Sequence, residues 1–240
     1  MAIACNPTFP GASQLLPDAA RPALQFLRLQ PWFPQLTPAK QEEVAASVFT
    51  LRGGKGDVLL HAGEEVKGWY AVLSGLVKLQ SQSAEGRRQG FLGIPGGEWF
   101  GEGSVMKKGP RQYEAVALRD SLLLCLPRAQ FEDLAATNLP FSRALNEQLN
   151  MRFGQAMGII ESMRLRTPEQ RVAAYLVPPL WNGPRRMALS QEELGILVGL
   201  SRQTVNAMLK ELERRGLVSL QFGRVDIVDE EALARFARGP

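Results

Sequence analysis

The sequence is poor in the side chains that hold metals or carry out redox chemistry: it has two cysteines and one histidine. Cys5 and Cys125 stand in unrelated surroundings, and Cys125 lies within the apolar run DSLLLCLP, where a buried structural thiol is expected. With His61 alone there is no clustered ligand set for zinc or an iron–sulfur centre, and lone axial ligation of haem is the one metal role left to it. No metal is expected. No apolar run is long enough to cross a bilayer. The N-terminal stretch MAIACNPTFPGASQLLPD lacks the basic start and apolar core of a signal peptide, and its prolines Pro7, Pro10 and Pro17 suggest a loose extension. These scarcities imply a reducing, cytoplasmic setting without a membrane partner.

What is present is ordinary in bulk and uneven in place. A chain of 240 residues suffices for one large domain or two smaller ones. A hydrophobic share of 45% and a charged share of 22% are usual for a globular protein. The net charge is +4, yet from Arg164 onward 12 basic residues face 9 acidic ones, against 16 and 15 before it. A basic C-terminal third points toward a polyanionic partner.

Thr37 followed by Pro38 predicts a helix start, with KQEEVAASV carrying the helix to about Val48. From there to Pro127, short runs such as DVLLH, GWYAVLSG and LVKLQSQ alternate with glycine-bearing turns, the pattern of a small all-β sandwich or barrel. After Pro140 the period becomes helical to about Thr167. Leu149, Phe153, Ala156, Ile160 and Met163 recur at steps of four and three, an a/d seam. Such a seam suits a symmetric dimer, and it also suits a helix packed on its own β-domain. A further helix, TPEQRVAAYLV, stops at Pro178-Pro179 before the turn NGPRR.

The stretch LSQEELGILVGLSRQTVNAMLKELERRGL reads as two helices joined by a tight turn. Ser190 and Glu193 form a capping box, Gly199 supplies the turn, Ser201 caps the second helix and Gly216 ends it. Val205, Met208, Leu209 and Leu212 make its apolar face. Arg202, Gln203 and Asn206 point away from that face, near the helix N-terminus. Arg can grip guanine and Gln or Asn adenine, each through paired hydrogen bonds in the major groove. LVSLQFGRVDIVD follows as a hairpin turning near Gly223, a wing with Arg224 near its tip. A polar helix face alone is often merely solvated; short turn, double capping and wing together point to DNA binding.

Residues 96–112, GGEWFGEGSVMKKGPRQ, gather five glycines around Glu98 and Glu102, with Arg111 following. By themselves they suit either a pair of surface turns or a cradle for an anion. An enzyme acting on phosphoesters is the class they would otherwise suggest, but no metal cluster and no nucleophile paired with a base accompany them.

Across roughly residues 30 to 237 the chain resembles the CRP/FNR family of bacterial transcription regulators. The resemblance rests on FGEGSVMKKGPR, preceded by GDVLLHAGEE and YAVLSGLVKL, and on GLSRQTVNAMLKELERRGLV. It implies an α+β fold: a loose extension over 1–22, a cyclic-nucleotide-binding β-roll over 23–139, a dimerisation helix over 140–166 and a winged helix-turn-helix over 167–240. It implies a homodimer sealed along the long helix, and double-stranded DNA and RNA polymerase as partners. The DNA contacts would come from Ser190, Ser201, Arg202, Gln203, Thr204, Asn206, Lys210 and Arg224. In members that bind cyclic AMP, Glu at the position of Glu102 bonds the ribose hydroxyl and Arg at the position of Arg111 pairs with the phosphate. Gly101, Gly103, Ser104 and Gln112 complete the implied ligand set. The sequence departs from that pattern after Arg111, where a small hydroxyl or alanine is usual and this chain has Gln112 and then the bulky Tyr113. It departs again at Ala156 and Met157, where Thr and Ser would read the purine. At Ala207 many members carry a second arginine. The expected effector is therefore open among cyclic AMP, cyclic di-GMP and another small molecule. A regulator that needs no ligand, and a nucleotide-binding module acting on a protein partner, remain the alternatives.

Overall fold

The computed structural model describes residues 19–82, 88–107, 109–178, 180, 186–187 and 189–239. Two helices, α1 (Ala20–Arg28) and α2 (Pro38–Ser47), lead into eight strands. These are β1 (Phe49–Gly53), β2 (Val58–Leu60), β3 (Gly68–Ser74), β4 (Leu76–Gln82), β5 (Arg88–Pro95), β6 (Trp99–Phe100), β7 (Glu114–Ala117) and β8 (Ser121–Pro127), with the short helix α3 (Glu102–Met106) between β6 and β7. They form two four-stranded sheets, ordered β1-β8-β3-β6 and β2-β7-β4-β5, whose paired strands run antiparallel.

The strand period of two lets β3 and β8 feed two cores at once. Tyr70, Val72, Leu123 and Cys125 point between the sheets, where Phe100, Ile94 and Val77 meet them. Their alternate neighbours Trp69, Ala71, Leu124 and Leu126 point the other way, onto a second core completed by helices. That core takes Phe26 and Leu27 of α1 and Val44 of α2. It takes Phe131 and Leu134 of α4 (Arg128–Thr137), and Phe141 and Leu145 of α5 (Leu139–Leu165). Trp69 and Trp99 stack there at 4.2 Å between ring centroids. Cys125 is fully buried, and burial pushes its thiol up to about 12.

Thr37 caps α2 by accepting from the Lys40 N–H at 3.3 Å. Asn138 caps α5 by accepting from Phe141 N–H at 2.9 Å. Four helices escape the sequence reading, the short α3 among them. The extension over 1–22 is corrected at its end: helix α1 begins at Ala20, and Ala19 and Ala23 are fully buried. Pro22 sits in its first turn, where no intrahelical N–H is needed. The helix α4 starts without any side-chain cap, directly after a strand.

After α5 come α6 (Pro168–Tyr175), β9 (Arg186–Met187), α7 (Gln191–Val198) and α8 (Arg202–Arg214), then β10 (Val218–Gln221), β11 (Arg224–Ile227) and the fourth unforeseen helix, α9 (Glu230–Arg238). The turn read over 182–186 lies outside the described residues except for Arg186, which belongs to β9. Helices α6, α7, α8 and α9 enclose Val172, Leu194, Leu197, Val205, Leu209, Leu212 and Leu233. Leu76 and Leu118 of the β-roll join this same core, so the two regions share packing. The fold is thus a β-roll, a 27-residue helix and a winged helix-turn-helix. No helix among the described residues is long and apolar enough to cross a membrane.

Candidate functional site

The glycine-rich stretch forms a strand end and a helical turn. At Gly101 the backbone has φ +89°, a left-handed geometry that favours glycine, and this aims Glu102 inward as the first residue of α3. Arg128 on α4 holds the far end of this turn, donating to the Lys107 carbonyl at 2.8 Å.

Glu102 is buried, but its partners are internal. Its carboxylate accepts from Trp69 Nε1 at 3.4 Å and faces Arg152 Nε at 3.6 Å. Arg152 comes from α5. It also pairs with Glu98 at 3.1 Å and donates to Gln155 Oε1 at 2.6 Å and to the Trp99 carbonyl at 2.5 Å. Burial raises the pKa of both carboxyls, and Arg152 pulls each part of the way back. The sequence reading missed Arg152 altogether: the guanidinium that neutralises Glu98 and Glu102 lies some fifty residues away along the chain.

A cavity of about 280 Å³ opens beside this cluster, at the low end for a small-molecule site. Leu79, Phe91 and Leu92 give it an apolar wall; Gly101, Glu102, Gly103 and Ser104 form its floor, and Gln112 and Tyr113 one side. Arg152, Gln155, Ala156 and Ile159 of α5 close it. Five of the six expected ligand residues therefore meet at one cavity, and Arg111 does not line it. Its guanidinium lies behind, 5.3 Å from the ring centroid of Tyr70 and 5.6 Å from that of Tyr113. Two further expectations need correction. The Ser104 N–H is already bonded to the Gly101 carbonyl at 3.0 Å, because the α3 turn consumes it. Met157 is turned to the outside of α5, so only Ala156 of the two purine-reading positions faces the cavity.

The seam of α5 divides. Leu149 is half-buried and packs on the helical core of its own β-roll. Phe153, Met157, Ile160 and Met163 are 51% to 68% exposed and make an apolar stripe on the outside of the chain.

In the C-terminal region the caps behave as their chemistry demands. Ser190 accepts from the Glu193 N–H at 3.1 Å while Glu193 accepts from the Ser190 N–H at 2.7 Å. Ser201 accepts from the Thr204 N–H at 3.0 Å. Gly199 takes φ +70° in the turn. Arg202, Gln203 and Lys210 are exposed on α8, opposite buried Val205, Leu209 and Leu212. Asn206 is half-buried, its Oδ1 accepting from Gln191 Nε2 at 3.1 Å. Arg224 is committed to its own hairpin, paired with Asp226 at 2.9 Å. Glu193 has a second role that the sequence did not suggest. Its two oxygens accept from Arg119 Nε and Nη2 at 3.0 and 2.7 Å, tying α7 to the turn before β8. Among the described residues no group of three or more His, Cys, Asp or Glu is placed to hold a metal.

Residues 52–138 match the family model of the cyclic nucleotide-binding domain, and residues 170–236 that of the Crp-like helix-turn-helix domain. The chain is 30% identical to the CRP-like cAMP-activated global transcriptional regulator of Mycobacterium tuberculosis, over 77% of this chain and 86% of that protein. It is 29% identical to the cyclic AMP receptor protein of Thermus thermophilus, over 87% of this chain and 97% of that one. A solved CRP/FNR-family transcriptional regulator from Thermus thermophilus is 26% identical, superposes with a TM-score of 0.56, and spans 79% of this chain and 98% of its own.

Proposed function

The chain belongs to the CRP/FNR family of transcriptional regulators, and on that premise we propose that it works as a homodimer reading a two-fold symmetric promoter site under the control of a small effector held in the β-roll. The observation that carries the DNA-reading half is the outward row of Arg202 and Gln203, with Asn206 beside them, at the N-terminal end of an α8 whose other face is buried. Such a helix end enters the major groove, where these side chains match guanine and adenine edges.

The dimer rests on the stripe Phe153, Met157, Ile160, Met163. Four large apolar side chains on one helix, all more than half exposed, are unusual for a surface that stays wet. Two copies in parallel would cover each other's stripe and set two α8 helices one helical turn of DNA apart. The working division is the one drawn from the sequence, a sensing region over 23–139, a sealing helix over 140–166 and a reading region over 167–240. The effector reading rests on the cavity between α3, Tyr113 and α5. A cyclic nucleotide is the ligand class the M. tuberculosis regulator's name carries. Such a chain works in the cytoplasm beside RNA polymerase.

Binding-site selection from random duplexes tests this reading. The enriched site should be palindromic, and affinity should fall steeply with salt as counterions are displaced from phosphates. Ile160→Asp, which places a charge in each half of the stripe, should give a monomer by sedimentation and lose the palindrome. A native chain that sediments as a monomer at micromolar concentration overturns the dimer.

A further inference from the structure

The anion-binding side chain and the cavity it should serve are separated by a single ring. Arg111 is only 3% exposed, and its Nη1 has no hydrogen-bond partner among the described residues. The backbone on which it sits is fixed from both directions. Gly63 N–H donates to the Arg111 carbonyl at 2.7 Å, and Arg111 N–H donates to the Glu64 carbonyl at 2.9 Å. This pairing fixes where the side chain starts, and the rings of Tyr70 and Tyr113 pack around its guanidinium. A buried cationic donor without an acceptor is costly, and the two tyrosine faces compensate only in part. Glu102, the carboxylate of the same glycine-rich stretch, is taken by Arg152 and Trp69.

Tyr113 fills the gap. Its ring covers Arg111 and forms part of the cavity wall. Its hydroxyl bonds to Ser104 Oγ at 3.2 Å. The bare α-carbon of Gly101 marks the meeting point: a Cβ placed there would lie 3.7 Å from both Arg111 Nη1 and the Tyr113 hydroxyl.

We propose that Tyr113 is a built-in occupant of the anion subsite, covering Arg111 and holding Ser104 until an effector displaces it. This rests on the reading of the cavity as an effector site. An effector reaching Arg111 must supply enough contact elsewhere to move the ring. The apolar wall of Leu79, Phe91 and Leu92 offers that contact to a ligand with a flat body. The ligand class is thus an organic phosphate or phosphodiester with a ring system. Inorganic phosphate, with nothing to set against that wall, would leave Tyr113 in place. Apparent affinity is the intrinsic affinity reduced by the fraction of molecules in which the ring has moved.

Titration calorimetry on the full chain tests this, with cyclic AMP and inorganic phosphate as probes. Tyr113→Ala should bind cyclic AMP at least about tenfold more tightly than the native protein, because the closed fraction no longer competes. Tyr113→Phe, which keeps the ring over Arg111, should gain much less. Arg111→Ala added to Tyr113→Ala should erase the gain. Thermal melts establish that each variant is folded, and Tyr113→Leu replaces the alanine variant if the latter fails to melt cooperatively. Equal affinities of native and Tyr113→Ala proteins, both lost with Arg111→Ala, would overturn the occupant while leaving the effector site standing. A gain that survives Arg111→Ala would overturn it too. Should neither native protein nor Tyr113→Ala bind either probe, the effector reading falls, and the occupant with it.

Discussion

The second helix of the helix-turn-helix and the cavity beside α3 use arginine in opposite ways. On α8, Arg202 and Gln203 face solvent with a buried leucine face behind them, so their hydrogen-bonding capacity is held for another molecule. Around the pocket, Arg152 is paired with Glu98 and Glu102, and Ser104 is bonded to Tyr113. An arginine in the first setting contributes to recognition and little to the fold. In the second it is part of what holds the fold together, and recognition has to compete with that.

The sharpest way to test this contrast is to remove one arginine from each place. Arg152→Ala strands two buried carboxylates, and losing one partner of a buried pair typically costs about 3–5 kcal/mol. Denaturant unfolding should record a loss of that order. Arg202→Ala should leave stability within about 0.5 kcal/mol, as exposed positions do. It should cost about 1–3 kcal/mol in DNA affinity and relax one base position in a selected site. If Arg202→Ala unfolds the protein as readily as Arg152→Ala, the two regions are not built differently.

A smaller effect is expected from acidity. Burial holds Glu98 and Glu102 above their ordinary 4.5, so the folded state keeps these protons more tightly than the unfolded chain. Their contribution is complete below that value and is lost as pH rises through the raised ones. Glu102→Gln should flatten the decline in urea midpoints as pH rises above 4.5.

The same contrast explains what the sequence made legible. The capping box of Ser190 and Glu193, the Gly199 turn and the stripe Val205, Leu209, Leu212 are local, within one or two turns, and local spacing is what a sequence displays. The unbroken apolar run in DSLLLCLP pointed to β8 and its buried thiol for the same reason. By contrast, the contact of Arg152 with Glu98 needs the register of α5 against β6, which no local pattern encodes. Tyr113 stood out as bulky in a stretch where small residues are usual, but that it lies against Arg111 depends on how the loops before β3 and β7 meet. The helix α4 lacked a polar cap, and α1 was obscured by its prolines, so both waited for the tertiary core that stabilises them.

The double duty of Glu193 has a consequence for motion. Its Oε2 takes the Ser190 amide hydrogen and the Arg119 guanidinium at once. Any separation of α7 from the turn before β8 would take a charged neighbour from that oxygen and loosen the first turn of α7. A single backbone amide would thus report that contact: in native-state hydrogen exchange, Arg119→Ala should lower protection at Ser190, even though the Ser190 bond never crosses between the two regions.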